Sequence, residues 1–235
     1  MNPYDTSKPA WISASTADVE FRTRAFIRSV YAWMAGGLVL TAFAALWVVN
    51  SPMMQALVLG NRLVMFGLII AEVGIVMVMS FKQRTISAGT ASAAFLVYSF
   101  LNGLTLSVIF FIYARASITL AFGVSAGMFG AMALYGLVTK RDLTSWGSFF
   151  MMGLFGVFIL MIAGFFIQTT ALQMTIATLG IFVFLGLTAY DNQKLKRFAT
   201  APNSDNLAVF GALMLYLDFI NLFLFVLRLL GDRRR

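Results

Sequence analysis

Long apolar runs separated by short polar connections dominate this chain, and the length of each run carries the first signal. A helix rises about 1.5 Å per residue, so about 20 apolar residues cross the roughly 30 Å hydrocarbon core of a bilayer. Seven segments qualify: Phe26–Val49, Leu63–Phe81, Ser87–Tyr113, Ile118–Val138, Gly147–Ile167, Leu172–Tyr190 and Leu207–Leu230. Breakers or polar clusters divide them at Asn50-Ser51-Pro52, Ala114-Arg115-Ala116, Thr139–Ser145 and Ala199–Asn206, the last containing Pro202. The pattern predicts an all-α integral membrane protein. A polar cytoplasmic tail covers residues 1–25, a seven-helix membrane domain 26–231 and a short basic tail 232–235. The first 25 residues have no compact apolar core followed by a small-residue cleavage site, so the first span is expected to direct insertion itself.

Composition agrees with the lengths. Hydrophobic residues make up 60% of the 235 and charged residues only 11%, well away from the balance of soluble domains. Many of the 19 glycines fall inside the spans, among them Gly36-Gly37, Gly123/Gly127 and Gly153/Gly156. Small residues permit close helix contact in lipid, so Gly123-Val-Ser-Ala-Gly127 is expected to serve packing within the bundle rather than dimerisation.

A formal charge of +8 would suggest nucleic acid in a soluble protein, but here it marks orientation. With the N-terminus inside, Lys8, Arg22, Arg24, Arg28, Lys82, Arg84, Lys140, Arg141, Lys194, Lys196 and Arg197 all lie on the inner side. Only Arg62 and Arg115 fall in outer loops, which places the N-terminus in the cytoplasm. Seven crossings then leave Arg233-Arg234-Arg235 outside, against the same rule. A last segment that enters and leaves on one side is the open alternative. The length of Leu207–Leu230 favours a full crossing.

The chain has no cysteine and no histidine. Thiolate chemistry, disulfides and the usual zinc ligands are therefore excluded, and any proton-linked behaviour must rely on carboxylates. Three acids lie in or at the edge of apolar segments: Glu72, Asp191 and Asp218. A charged carboxylate at the centre of a membrane helix costs roughly 2.5–3.5 kcal/mol on insertion scales, so such residues are functional candidates. Asp191 has an ordinary explanation in Lys194 at i+3. Asp218 has only Asn221 at i+3 as a local donor, and Arg228 lies roughly 15 Å further along the helix. It needs a partner on another helix, a proton or a cation. Cross-pairing of Glu72 with Arg228, and of Asp191 with Arg84, would neutralise otherwise costly charges.

If Asp191 and Asp218 approach within a few ångströms, they cannot both ionise cheaply. They would share a proton and titrate as a unit, a pH switch without histidine. Carboxylate oxygens also suit calcium, and two of them make a weak, transient site of the kind a permeation path requires.

Four stretches now carry a resemblance: VYSFLNGLTLSVIF (Val97–Phe110), ALYGLVTKRDLTSWG (Ala133–Gly147), LGLTAYDNQKLK (Leu185–Lys196) and ALMLYLDFINLFLFVLRLLG (Ala212–Gly231). In this order and at these spacings, the chain resembles the Bax inhibitor-1 (transmembrane Bax inhibitor motif) family over nearly its full length, as a bacterial member. The resemblance implies seven helices with the last one central and wrapped by the other six. It implies a pH-sensitive calcium leak, with protection against cell-death or stress signals. The family's paired aspartates fall on Asp191 and Asp218, its second-helix acid on Glu72 and a late basic position on Arg228. The basic position closing the second helix is Arg84 or Lys82. The terminal Asp232 and three arginines are too short for regulation through a long charged tail.

The leading expectation is thus a passive calcium-permeable channel in a bacterial inner membrane, closed when the aspartate pair is protonated, with calcium as permeant or weakly bound ion and no tightly bound cofactor. The alternative is a non-transporting regulator that binds and restrains other membrane proteins, such as a quality-control protease. An enzyme is not expected. Tyr190-Asp191 matches the first motif of aspartyl intramembrane proteases, but Leu215-Tyr216-Leu217 precedes Asp218 where glycines belong, and the Pro-Ala-Leu stretch is absent. A retinal protein lacks its Schiff-base lysine in the seventh span.

Overall fold

A computed structural model describes residues 16–83, 85–201 and 204–232. Arg84, Pro202, Arg233–Arg235 and the tail before residue 16 lie outside the described residues. The helices are α1 (Thr16–Asn50), α2 (Pro52–Val58), α3 (Arg62–Phe81), α4 (Ala88–Leu106), α5 (Ile109–Ile112), α6 (Arg115–Val138), α7 (Thr144–Phe166), α8 (Thr170–Ala199) and α9 (Ser204–Leu230). Seven are long and apolar enough to cross a membrane, counting α4 and α5 as one span.

Local chemistry explains where they begin and break. Ser51, Asn61, Ser87 and Thr169 accept backbone N–H groups at the starts of α2, α3, α4 and α8. At the start of α7, Asp142 accepts hydrogen bonds from the Thr144 N–H at 2.9 Å and hydroxyl at 2.6 Å. These two bonds hold the Asp142 carboxyl below its ordinary range, so this tie is complete above that range and lost as pH falls. The third span is not one helix. Ser107, fully buried, donates its hydroxyl to the Leu104 carbonyl at 2.6 Å, and the chain turns there before α5. α1 starts well ahead of its apolar run, because Arg24 and Glu20 pair at i,i+4 and extend the helix into polar sequence.

α9 is the innermost span. Of its most apolar stretch 78% is buried, against 6% for α3 and 11% for α7. Its substantial contacts are with α1, α4, α6 and α8. α3 packs on α4 and α7 on α8, one layer further out, with side chains such as Phe66, Ile70, Phe155 and Phe165 exposed where lipid would lie. Four spans therefore surround α9 directly, where the sequence led us to expect six. The outer two are too thoroughly apolar around their circumference to be drawn inward, because lipid solvates them equally well.

Close helix contact rests only in part on the glycines singled out from sequence. A Cβ on Gly136 would collide with the Ala189 backbone where α6 crosses α8, and one on Gly103 with the Thr41 backbone where α4 meets α1. Gly37 and Gly153 also face neighbouring side chains, but Gly123 and Gly127 face open space. The Gly123/Gly127 pair therefore does not pack the bundle; spacing alone cannot say which face of α6 turns inward. Gly136→Leu should lower stability in detergent by about 1–3 kcal/mol through overpacking, while Gly127→Leu stays within about 0.5 kcal/mol of the parent. Thermal unfolding of the two variants checks this, and equal melting temperatures would contradict the assigned crossing.

Candidate functional site

One stretch of α8, Tyr190–Lys194, sends successive side chains to different neighbours, as the helical turn requires. The Tyr190 ring lies against Gly147 of α7, where any side chain would collide with it. Asn192, fully buried, accepts the Tyr31 hydroxyl of α1 at 2.5 Å and donates to the Thr188 carbonyl at 2.7 Å. Gln193 clamps the α6–α7 connection: it accepts the Leu143 N–H at 2.8 Å and donates to the Arg141 carbonyl at 2.7 Å. Lys194 extends toward α9, its Nζ 3.8 Å from the Met214 sulfur and 5.5 Å from the centre of the Phe198 ring.

Asp191 faces α9 and meets Asp218. Asp218 is only 4% exposed and Asp191 is half-buried. Their carboxyls lie within side-chain hydrogen-bonding reach of each other. Asp218 Oδ2 is buried with no N–H or O–H donor. A hydrogen bond between two carboxyls exists only when one of them carries a proton. Among the described residues no Lys or Arg nitrogen comes within ion-pair distance of either aspartate, and no group of three or more His, Cys, Asp or Glu side chains assembles. The arrangement is two hard oxygen ligands, suited to a shared proton or to a loosely held divalent cation.

The remaining sequence candidates behave differently. Glu72 of α3 does not pair with Arg228. Its Oε2 accepts the Asn102 amide at 3.1 Å and its Oε1 the Thr105 hydroxyl at 2.9 Å, both from α4. Neutral donors on an adjacent helix satisfy this carboxylate without the cost of bringing a guanidinium to it. Arg228 lies instead in a cavity of about 230 Å³ with Tyr113 and Asn221. Asn221 does not serve Asp218 either, because its amide donates to the Leu217 carbonyl of its own helix at 2.8 Å. The expected Asp191–Arg84 pair involves a residue outside those described. Lys82, the other basic candidate closing the second helix, is exposed at the end of α3.

A polar chain extends from Glu72 through the core. Asn102 accepts the Tyr216 hydroxyl at 3.0 Å, and that hydroxyl lies 2.6 Å from the hydroxyl of Thr41 on α1. Thr41, Tyr216, Asn102 and Glu72 thus link α1, α9, α4 and α3. The sequence does carry a trace of it: Ser99, Asn102 and Thr105 recur every three residues on one face of an otherwise apolar helix. Tyr31, Asn192 and Gln193 gave no comparable signal, since Tyr31 is a single tyrosine early in a span and Asn192 and Gln193 fall in the polar run after Tyr190. Tyr216→Phe should cost about 0.5–1.5 kcal/mol. Asn102→Leu should cost about 1–3 kcal/mol more, because it removes the donor to Glu72 Oε2 and leaves the Tyr216 hydroxyl with Thr41 alone. Reversible unfolding in mixed micelles measures both, and an Asn102→Leu protein as stable as the parent would remove the chain from the stability argument.

Comparison with known proteins places these features in a lineage. Residues 23–235 match the family described as inhibitor of apoptosis-promoting Bax1. The chain is 46% identical over 215 residues to the inner membrane protein YbhL of Escherichia coli strain K12, covering 89% of this chain and 92% of that protein. It is 40% identical over 214 residues to an uncharacterized protein of Borreliella burgdorferi, covering 89% and 92%. It is also 39% identical over 217 residues to protein RP147 of Rickettsia prowazekii, covering 90% and 91%. With seven apolar spans, a match across nearly the whole membrane domain and relatives of this similarity, the chain belongs to the Bax inhibitor-1 family.

Proposed function

We propose that the chain is a pH-sensitive, calcium-permeable leak of the bacterial inner membrane, gated by the Asp191–Asp218 pair, with its N-terminus in the cytoplasm. The observation that carries this reading is the meeting of two carboxyls at the buried α8–α9 contact, one of them with an oxygen that no donor serves. With a proton between them, the carboxyls are tied and the helices stay together. Without it, two negative charges face each other in a poor solvent for charge, and separation or capture of a divalent cation relieves the repulsion. Two carboxylates hold such an ion weakly enough to release it, as permeation demands. The location rests on the seven spans and on the name of the Escherichia coli relative, and the orientation on the excess of Lys and Arg in the inner connections. In this reading the pair is not catalytic, calcium passes or binds loosely, and the bilayer is the constant partner.

Reconstitution in liposomes tests it. Calcium flux from the parent should rise as pH increases from about 5 to about 8, as the pair loses its shared proton. Asp191→Asn and Asp218→Asn mimic the protonated acid and should hold flux near background at every pH. Parent flux indistinguishable from protein-free vesicles throughout would overturn the leak. That result would turn attention to restraint of other membrane proteins, which requires no transport.

A further inference from the structure

We propose that Lys194 is a tethered cation that competes with calcium at the Asp191–Asp218 pair and so sets how strongly the pair holds a divalent ion. The inference rests on reading the pair as a cation station. α8 and α9 run antiparallel: Phe184 meets Phe225 on one side of the pair, and Phe198 meets Phe210 on the other. Lys194 lies one turn beyond Asp191, and Met214 one turn before Asp218. Their 3.8 Å approach puts them on the same level, directly over the pair on the side of the α8 C-terminus. On the opposite side Leu187 and Leu222 are buried and apolar. The Lys194 side is therefore the one that offers a charged group to an ion reaching the pair.

The ammonium is held near the carboxyls without a salt bridge to either. It sits 5.9 Å from the centre of the Tyr190 ring, 5.5 Å from that of Phe198, and beside the Met214 sulfur. Ring and thioether contacts of this kind are weak, and the lysine stem is long and flexible, so the charge can swing onto the pair when both carboxyls are bare. An ordinary surface lysine would extend its head away into water. Lys194 is half-buried and its head faces α9. A positive charge in this position opposes a second cation at the same oxygens, and more strongly than it would in bulk water.

Equilibrium dialysis of the purified protein against calcium tests the assignment. Lys194→Met keeps the length of the side chain and removes its charge, and should bind calcium about tenfold or more tightly than the parent. Lys194→Arg keeps the charge and should stay within about twofold of the parent. The gain should vanish when Asp218→Asn is added to Lys194→Met. Equal affinity of Lys194→Met and parent, no measurable binding by either, or a gain that persists without Asp218, overturns the assignment. Should Lys194→Met fail to fold, Lys194→Gln makes the same comparison. Asp218-dependent flux in liposomes alongside unchanged binding would sink the lysine and spare the leak. Tightened binding in a protein that shows no flux would do the reverse.

Discussion

The contact between the two most extensively paired helices is built around a carboxyl taken out of water with no salt bridge, among the described residues, to neutralise it. Asp218 lies on the most buried span, 4% exposed, and one of its oxygens has no donor. An isolated charge there would be costly to keep, and Asp191 is the carboxyl that meets it. That meeting fixes more than chemistry. It demands that α8 and α9 meet in one register, and the close packing around the pair secures it: Gly180 accepts the Phe225 ring 2.6 Å from where a Cβ would stand, and Gly211 accepts Leu195 at 2.7 Å. Sliding either helix by one residue would rotate one carboxyl away from the other by about 100°.

The second polar group of α9 stands two residues from the first, which places it on roughly the opposite side of the helix. Asp218 therefore engages α8, while Tyr216 engages α1 and α4 through Thr41 and Asn102. The Tyr216 side is also braced by rings, with Phe95 and Tyr98 edge-on to it at 5.8 Å and 5.6 Å. One face of α9 is thus fixed by packing and neutral hydrogen bonds, and the other by packing together with the meeting of two carboxyls. On the proposed gating, a change in protonation would act on the α8 side and leave the α1/α4 side in place, so that α8 would move relative to a stationary α9. Gln193 would carry the α6–α7 connection with it, since it holds that connection at two backbone atoms.

Span number, the approximate limits of each span and the identity of the buried acids were legible in the sequence, because length and apolarity are properties of single segments. Which faces meet was not. Asp191 and Asp218 could be paired from the cost of burial and from resemblance, but Glu72 with Arg228 could not be rejected, because neutral donors on a neighbouring helix leave no mark on charge arithmetic. The glycines show the same limit. Gly123 and Gly127 have the spacing of a contact and face open space, whereas Gly136, with no such partner in sequence, lies against the Ala189 backbone. The extension of α8 to Ala199, past the apolar run that ended at Tyr190, was hidden by its charged residues. That extension carries Asn192, Gln193 and Lys194, most of the surroundings of the pair.

Two buried acids in one membrane domain are accommodated in opposite ways, and the contrast decides which of them is fit to be a switch. Each oxygen of Glu72 already accepts a hydrogen bond, and the Asn102 that supplies one is itself held by Tyr216. The donors of this carboxylate belong to a network that spans four helices. Asp218 Oδ2 has no such supply. On the proposed function it would be satisfied by something that comes and goes: the proton on Asp191, a divalent ion, or the ammonium of Lys194 from one turn away. A buried acid with permanent donors stabilises a fold; one whose partners must be mobile responds to what the solution offers. With no histidine in the chain, any proton sensing in the membrane interior would fall to carboxyls, and among the described residues Asp218 is the acid with a buried oxygen that no donor serves.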